Sequence, residues 1–361
     1  LLIDARYTRI HFHDGISRYT ASLLFALKEL QDRGAPELEG VKISMAISDD
    51  RQLKMLPELP FIKICSPTGP LEPLAALQLN KYSPDVVFSP MQTIGSMGRK
   101  FKLILTLHDL IYYSNPTPPS FLPLPIQWGW RIFHRSYTPQ RLLLNRADAV
   151  VTVSNTTAAL MKKHKLTQRH IHVIPNAPGS SAELRTEDHN NPQKTLLYMG
   201  SFMPYKNVET LIKAMQDLPD YTLKLLSRIT PARQAELQKI AGENVEFING
   251  IEEEQYQQLL TNSTALMTAS LEEGYGLPVV EAQSSGCPTI ISSIPIFQEI
   301  APSALHCNPQ HPEEFADAVR TLENPHTRKQ LIKRGLEDSR AYSWETSARS
   351  LINLATSLHE A

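Results

Sequence analysis

The sequence predicts an α/β protein made of two doubly wound domains, each a mainly parallel sheet covered by helices. Three observations lead to this prediction. Two separate series of short apolar runs alternate with helical patterns, a polar stretch divides the two series, and the chain has 361 residues. Alternating strands and helices are typical of parallel sheets, because each parallel pair needs a crossover connection. The length also fits two domains of ordinary size.

The first series of strands and helices occupies the N-terminal half of the chain. Its clearest helical pattern, residues 16–30, places Leu23, Leu27 and Leu30 on one face of a helix. Short apolar runs on either side of such patterns predict buried strands. The strands predicted in this half are residues 1–4, 41–47, 85–88, 103–107, 149–154 and 171–174.

A polar stretch at residues 179–193 separates the two series. It contains Ser, Glu, Asp, His and Asn without a strong apolar period, which is typical of a linker. The second series predicts strands at residues 195–199, 222–226, 245–248, 265–268 and 289–292, and helices at residues 207–218 and 313–322. We therefore predict a first domain at 1–180, a linker at 181–193 and a second domain at 194–342.

Composition and charge disfavour several classes of protein. The formal net charge of −1 gives no basic excess of the kind that nucleic-acid binding needs. The three cysteines, Cys65, Cys287 and Cys307, are widely spaced, which argues against a disulfide framework and a zinc site and for a reducing compartment. The first residues lack the basic region and long apolar run of a signal peptide, and no apolar stretch approaches the roughly 18 residues of a membrane span. We therefore expect a cytoplasmic protein.

Residues 127–146 have an unusual composition. No acidic residue occurs between Asp109 and Asp148, and the segment combines four aromatic side chains with four arginines. One interpretation is a helix packed through its aromatic side chains, with solvated arginines. The other is a face for an anionic acceptor or for peripheral contact with a membrane.

The most informative stretch is residues 272–282, Glu-Glu-Gly-Tyr-Gly-Leu-Pro-Val-Val-Glu-Ala. Pro278 favours the first turn of a helix, where its missing N–H costs nothing, and Gly274 and Gly276 permit a tight turn beside a ligand. The helix N-terminus would offer free N–H groups and a positive dipole end to a diphosphate. Glu273 and Glu281 would then accept hydrogen bonds from sugar hydroxyls. Taken alone, the pattern is also typical of a helix-capping carboxylate after a glycine-rich turn.

This loop resembles the Glu-(seven residues)-Glu signature of retaining GT-B glycosyltransferases of the large bacterial group 1 family, which includes many mannosyl- and glucosyltransferases. The resemblance extends over nearly the whole chain. Further matching blocks follow in order at residues 14–19, 106–109, 147–154, 173–176, 198–207, 285–288 with Glu299, and 342–345. It implies two Rossmann-like domains facing a cleft, with a C-terminal helix at about residues 343–361 that crosses back to the N-terminal domain.

The family's functional residues carry over position by position. The resemblance implies that Glu281 binds the donor ribose, Glu273 the transferred sugar and Lys206 the diphosphate. It also implies that His108 contacts the sugar, although His108 taken alone is better explained as a hydrogen-bonded turn histidine. His108, Lys206 and Glu273 are thus the expected catalytic residues. The remaining donor-binding positions are Gly15 in the N-terminal glycine loop, Gly274, Tyr275, Gly276 and Leu277 through their backbone, and Ile251 beside the base.

The sequence departs from the family pattern around the diphosphate. The family usually carries an arginine beside the phosphate-loop lysine or soon after the glycine, and these positions hold Tyr205 and Ser201. A leaving diphosphate needs more than one positive charge when no metal supplies it. Arg228 directly follows a predicted strand of the same half, and we assign it to the donor site as the second cation. Pairing of Arg228 with a nearby acidic side chain is the alternative.

The sequence also bears on mechanism and substrates. The chain has no Asp-x-Asp pair of the kind that metal-dependent transferases use, so we expect neither a metal nor a cofactor. The resemblance implies same-face attack through an oxocarbenium-like state, with the leaving phosphate taking the proton of the acceptor. Three functions stay open: transfer from a GDP-hexose, with GDP-mannose preferred; the same reaction with a UDP- or ADP-sugar; and a nucleotide-sugar epimerase or non-catalytic binder on the same scaffold. The acceptor would be a glycan or a lipid-linked molecule. If residues 127–146 contact the membrane, the protein would work at its inner face.

Overall fold

The computed structural model describes residues 1–118, 124–179 and 193–361. It divides into two compact units. The first unit contains Leu1–Asn176 together with Tyr342–Ala361, and the second contains Ala177–Ala341. The predicted linker, residues 181–193, lies outside the described residues except for Gln193, at which a strand begins.

The first unit is built on a seven-stranded parallel sheet with the order β3-β2-β1-β4-β5-β6-β7. Its strands are β1 (Leu2–Asp4), β2 (Ser44–Ile47), β3 (Phe61–Lys63), β4 (Val86–Ser89), β5 (Lys102–Leu107), β6 (Ala149–Thr152) and β7 (Ile171–Val173). Its first helices are α1 (Gly15–Asp32), α2 (Ala75–Leu79), α3 (Ile111–Ser114), α4 (Leu124–Phe133), α5 (Thr138–Leu144) and α6 (Asn155–Lys163). The predicted spacing in α1 is confirmed, since Leu23, Leu27 and Leu30 are all fully buried.

The second unit is built on a six-stranded parallel sheet with the order β10-β9-β8-β11-β12-β13. Its strands are β8 (Gln193–Tyr198), β9 (Thr222–Leu225), β10 (Val245–Phe247), β11 (Ser263–Thr268), β12 (Thr289–Ser292) and β13 (Leu305–Cys307). Its helices are α7 (Val208–Ala214), α8 (Pro231–Gln238), α9 (Glu253–Asn262), α10 (Leu277–Ser284), α11 (Pro295–Ile300), α12 (Pro312–Thr321) and α13 (Pro325–Ser339). The predicted class, two doubly wound α/β sheets, is confirmed.

The last helix, α14 (Trp344–Glu360), belongs to the first unit. Ser343 caps it by accepting the Thr346 N–H at 3.1 Å. Its inner face packs against α1, and the Trp344 ring lies 5.8 Å from the Tyr19 ring. The Ser347 hydroxyl donates to the Pro175 carbonyl at 2.8 Å. The helix therefore completes the core of a unit whose other elements lie at the opposite end of the sequence.

Two features of the fold differ from the sequence prediction. The strands β3 and β13 were not predicted, and both are three-residue strands at the edge of a sheet. Residues 127–146 do not form one helix: α4 ends at Phe133 and α5 begins at Thr138, with Pro139 in its first turn. Proline starts a new helix there because it cannot continue the hydrogen-bond ladder of an earlier one. Within the described ranges, no helix has both the length and the apolar character needed to cross a membrane.

Candidate functional site

Several predicted site residues follow the strands near which each sheet reverses its order. In the second unit the order reverses between β8 and β11; Lys206 follows β8 and Glu273 follows β11. In the first unit it reverses between β1 and β4; Gly15 follows β1, and His108 follows the adjacent β5. Ligands of open α/β sheets bind outside the carboxyl ends of strands at such points. The topology of each unit thus places these residues where a ligand is expected.

Two side-chain hydrogen bonds, one from the end of β8 and one from the segment after β9, hold the loop after β8. The buried Tyr198 hydroxyl donates to the Ser201 carbonyl at 2.6 Å, and the Gly200 N–H donates to the Ser227 hydroxyl at 3.0 Å. A β-carbon at Gly200 would lie 2.9 Å from the Tyr198 hydroxyl oxygen, closer than real contacts permit. Glycine is therefore required here so that the loop can fold back over the tyrosine.

Lys206 ends a short 3₁₀ turn, and Asn207 directs the chain from that turn into α7. Asn207 has φ +52°, the left-handed conformation that asparagine tolerates better than most residues. Its side-chain amide donates to the carbonyls of Ala269 at 3.1 Å and Pro309 at 2.7 Å. These two bonds tie the phosphate loop predicted at residues 198–207 to the segments that follow β11 and β13.

Lys206 and Glu273 form a close ion pair. Their Nζ and Oε1 atoms are 2.6 Å apart, and the side chains are only 16% and 11% exposed. The same Oε1 accepts a bond from the Ser270 hydroxyl at 2.8 Å, and Ser270 is hydrogen-bonded to Thr268 at 3.0 Å. Burial, followed by the Glu273 charge, raises the pKa of the Tyr198 hydroxyl well above its ordinary value. The two predicted catalytic residues of this unit are thus brought into direct contact.

The turn between Glu273 and α10 requires glycine at one position for two reasons. Gly276 has φ +103°, and a β-carbon there would lie 2.6 Å from Cε1 of Phe297, a fully buried ring. Pro278 occupies the first turn of α10, as predicted. Tyr275 is 6% exposed and therefore anchors the turn in the core. The turn leads directly to the N-terminus of α10, which carries the positive end of the helix dipole.

Glu281 lies on α10, four residues after Leu277. It is 5% exposed, which is rare for a carboxylate unless a partner stabilises its charge. The Glu281 backbone carbonyl accepts bonds from the Ser284 and Ser285 hydroxyls, at 2.9 and 3.0 Å. The structure thus places Glu273 before and Glu281 within the same short helix.

Arg228 lies beyond the carboxyl end of β9 and packs against the loop after β10. A β-carbon at Gly250 would be 3.1 Å from Cγ and 3.4 Å from Nε of Arg228, so the arginine stem covers this glycine. Gly250 has φ +114°, and its N–H donates to the Leu226 carbonyl at 2.9 Å. The structure therefore brings Arg228 together with the loop that contains Ile251, the predicted neighbour of the base.

His108 and Gly15 belong to the first unit and share one environment. His108 Nε2 is 2.8 Å from the Pro90 carbonyl, so Nε2 donates, and Nδ1 is an acceptor in the neutral ring. Burial lowers the pKa of His108, against the raising effects of the Pro90 bond and the Asp14 carboxylate. Asp14 also caps α1 beside Gly15 by accepting the Ser17 N–H at 2.9 Å. A neutral imidazole therefore lies near the N-terminus of α1.

Sequence reasoning missed three residues that hold the site in place: Ser270, Ser227 and Arg233. Arg233 Nε donates to the Phe202 carbonyl of the phosphate loop at 3.1 Å. Its terminal nitrogens lie 2.5 Å from Glu209 and 3.0 Å from Glu236. A signal was present, since Arg233 lies in the first turn of α8, where the helix dipole disfavours a cation. Such a position indicates that specific partners hold the charge.

The described residues give no arrangement for a protein-bound metal ion: no group of three or more His, Cys, Asp or Glu side chains among residues 1–118, 124–179 and 193–361 could hold one. Among the site residues predicted in the second unit, Lys206 and Arg228 are the cationic side chains.

Comparison with known proteins follows the division into two halves. A family model described as Glycosyltransferase Family 4 matches residues 14–177, and one described as Glycosyl transferases group 1 matches residues 181–338. Among curated proteins, the O-antigen chain mannosyltransferase RfbU of Salmonella typhimurium is 26% identical over 228 residues, 61% of this chain and 60% of that protein. The O-antigen chain mannosyltransferase B of Escherichia coli is 24% identical over 268 residues, 70% of this chain and 69% of that protein.

Solved structures share the fold over almost the full length. The sucrose-phosphate synthase of Thermosynechococcus elongatus superposes with a TM-score of 0.75 at 19% identity, covering 99% of this chain and 98% of that one. Anabaena HepE in complex with UDP and glucose superposes with a TM-score of 0.72 at 17% identity, covering 99% of both chains. The alignment with the Salmonella relative, by contrast, spans about 60% of that protein's length.

Proposed function

Because this chain belongs to the group 1 glycosyltransferases and has their GT-B fold, we propose that it is a retaining, metal-independent transferase that moves mannose from GDP-mannose to an acceptor hydroxyl. The family prediction made from the Glu-(seven residues)-Glu block is thereby confirmed. The choice of mannose rests on the two O-antigen mannosyltransferases to which the chain is similar. The product would belong to a glycan or a glycolipid.

The observation that carries the proposal is the contact of Lys206 with Glu273 just before the N-terminus of α10. Lys206 Nζ and Glu273 Oε1 are 2.6 Å apart, and Gly276 fixes the path from that pair to the helix. A nucleotide diphosphate bound at the helix N-terminus would meet the helix dipole and Lys206. Glu273 and Glu281 lie on the short stretch of chain that forms this helix start. Such a site suits a ligand that combines anionic phosphates with hydroxyl-rich sugars.

The Lys206–Glu273 pair also suggests how the site responds to the donor. Without ligand, Glu273 neutralises Lys206. When the diphosphate binds, the lysine would turn to the phosphate oxygens, and the Glu273 carboxylate would accept hydrogen bonds from the sugar hydroxyls. Ser270, bonded to Glu273 Oε1 at 2.8 Å, would keep the carboxylate oriented during the exchange. Positive charge would thereby become available where negative charge develops on the leaving group.

Cleavage of the bond between the anomeric carbon and the phosphate oxygen would leave an oxocarbenium-like sugar and the nucleoside diphosphate. The acceptor hydroxyl would attack from the face that the phosphate leaves, and the phosphate oxygen would take the proton. The new glycosidic bond then has the configuration of the donor. Lys206, Arg228 and the N-terminus of α10 would stabilise the diphosphate. The contact of His108, in the first unit, with the sugar stays a prediction.

A UDP-sugar is the second candidate donor. The structural similarity to Anabaena HepE, solved with UDP and glucose, favours it. The alternatives differ in the nucleotide base, and the loop that contains Ile251 is the segment we assign to base recognition.

Donor hydrolysis and transfer, measured with GDP-mannose, UDP-glucose, UDP-N-acetylglucosamine and ADP-glucose, would test the proposal. We expect GDP-mannose to be cleaved fastest and Lys206→Ala to lower kcat by at least about tenfold. Lys213→Ala, which changes an exposed lysine on the neighbouring α7, is the matched control and should behave as the wild type. Faster cleavage of a UDP-sugar would mean that the donor is a UDP-sugar and not GDP-mannose. Absence of turnover with every donor would contradict a transferase.

A further inference from the structure

The solvent face of α4 carries apolar side chains in a continuous row. Leu124, Trp128 and Ile132 follow each other at intervals of four residues, so they lie on one side of the helix. They are 79%, 68% and 45% exposed. Single exposed apolar residues are common on soluble proteins, whereas contiguous apolar patches are typical of interaction surfaces.

The opposite side of α4 is already used by the fold. The Trp130 ring lies 5.0 Å from the Tyr112 ring and 4.1 Å from the His134 ring, and His134 lies 5.1 Å from Tyr113. These contacts attach the helix to α3. The row Leu124–Trp128–Ile132 therefore faces outward because the aromatic contacts of the other side fix the rotation of the helix.

Positive charge borders the apolar row. Arg131 follows Trp130 on α4 and Arg135 lies two residues after the end of the helix, and both are exposed. No acidic residue occurs between Asp109 and Asp148, so none of the surrounding chain segment opposes these charges. The helix has ten residues and is about 15 Å long. It is therefore suited to lying on a surface.

We propose that α4 docks the protein on an anionic lipid bilayer, with Leu124, Trp128 and Ile132 inserted among the headgroups and upper acyl chains. Tryptophan is favoured at this depth because its ring is apolar and its N–H is polar. Arg131 and Arg135 would keep their guanidinium groups at the phosphates while their stems cover apolar surface. An anionic membrane favours both features of the segment, because its interface accommodates tryptophan and its surface attracts arginine.

Co-sedimentation of the full chain with vesicles tests this directly. We expect binding to vesicles of phosphatidylglycerol and phosphatidylcholine, weaker binding to pure phosphatidylcholine, and loss of the difference at high salt. Arg131→Glu with Arg135→Glu should lower binding to the anionic vesicles by at least about tenfold, as should Leu124→Ser with Trp128→Ala. The tryptophan fluorescence should shift to the blue on binding, and Trp128→Phe should reduce that shift.

Two matched controls separate a specific face from general effects. Lys333→Glu with Arg334→Glu reverses two exposed charges on α13, and Leu71→Ser removes a leucine that is 54% exposed elsewhere in the first unit. Both should bind vesicles as the wild type does. Melting temperatures close to that of the wild type would show that the α4 variants are folded.

Three outcomes would overturn the proposal: wild-type protein that stays in the supernatant with anionic vesicles, α4 variants that bind as tightly as the wild type, or self-association of the wild type that Trp128→Ala abolishes. Vesicle binding requires neither donor nor turnover, so it is independent of the proposed reaction. Donor hydrolysis by the arginine variants should equal that of the wild type.

Discussion

Replacing Glu273 by glutamine should change stability, nucleotide binding and turnover in different directions. The substitution keeps the shape of the side chain and an oxygen that can accept from Lys206 and Ser270, but it removes the charge. Lys206, whose side chain is 16% exposed, would keep its charge with a neutral neighbour. The structure of the free protein would lose a charged hydrogen bond, while the proposed diphosphate site would lose a repelling carboxylate.

The size of the stability change follows from the geometry. A hydrogen bond between charged groups contributes about 1.5–3 kcal/mol, and breaking a fully buried pair costs about 3–5 kcal/mol. The Lys206–Glu273 pair, with a separation of 2.6 Å and exposures of 16% and 11%, lies between these cases, and glutamine preserves part of the bond. We therefore expect a loss of about 2 kcal/mol, which for a unit of this size lowers its Tm by roughly 4–8 °C.

The effect on ligands has the opposite sign for the nucleotide alone. In Glu273→Gln, Lys206 no longer has to leave a carboxylate, so GDP should bind up to about tenfold more tightly, or 1.4 kcal/mol. Turnover of GDP-mannose should fall by at least about tenfold, because the neutral amide is a weaker acceptor for the sugar hydroxyls. Tighter binding of GDP together with slower transfer is the result expected if Lys206 exchanges Glu273 for the diphosphate when the donor binds.

Calorimetric titration with GDP, thermal unfolding and steady-state transfer measure the three effects on the same preparation. Glu243→Gln, which neutralises an exposed carboxylate in the same unit, should leave all three values unchanged. If Glu273→Gln weakened GDP binding as much as it slowed turnover, Lys206 would not exchange between carboxylate and phosphate. The ion pair would then be only part of the fold.

Four further predictions concern other parts of the site. Glu281→Gln should weaken nucleotide diphosphate binding by about 1–3 kcal/mol, since a ribose hydroxyl would lose a charged partner; calorimetry giving the wild-type affinity would remove this role. Activity should persist in a strong chelator, and full loss that magnesium or manganese restores would refute metal independence. Arg228→Lys should lower kcat tenfold or more, about 1.4 kcal/mol, with little change in Tm, because lysine cannot reproduce a bidentate grip on phosphate; normal turnover would exclude Arg228. Burial lowers the pKa of His108 below its ordinary value, so unfolding takes up a proton in acid, and the wild type should lose stability relative to His108→Gln as the pH falls below about 6.5; parallel pH profiles for the two proteins would show that His108 is not the group responsible.

The central strands and the turn before α10 could be predicted because their residues follow strong local rules. Buried parallel strands are continuous apolar runs. At α10, a glycine at the cap and a proline in the first turn indicate the helix start without further information. The edge strands β3 and β13 could not be found in this way. In β3 only Ile62 is partly buried, between the exposed Phe61 and Lys63, so no apolar run identifies it. Its strand conformation is recognised only from its pairing with the neighbouring strand β2.

Contacts between distant segments were the other part that the sequence left open. The pattern suggested separate roles for Lys206 and Glu273, but it gave no indication that they touch in the free protein. Sixty-seven positions separate them, and only the adjacency of β8 and β11 brings them together. Arg228 was expected to serve the diphosphate, and its stem proved to lie over Gly250. Side-chain direction at a loop depends on the neighbouring backbone, which local sequence patterns do not encode.

The return of α14 to the first unit has a consequence for biosynthesis. A ribosome releases the chain from its N-terminus, so every strand of the first sheet emerges well before the helix that covers α1. The whole second unit, Ala177–Ala341, is synthesised in the interval and has all its own strands. The surface of α1 therefore stays uncovered in the first unit until α14 has been synthesised. The α1 surface is therefore expected to be the part of the nascent chain that needs protection from aggregation for longest.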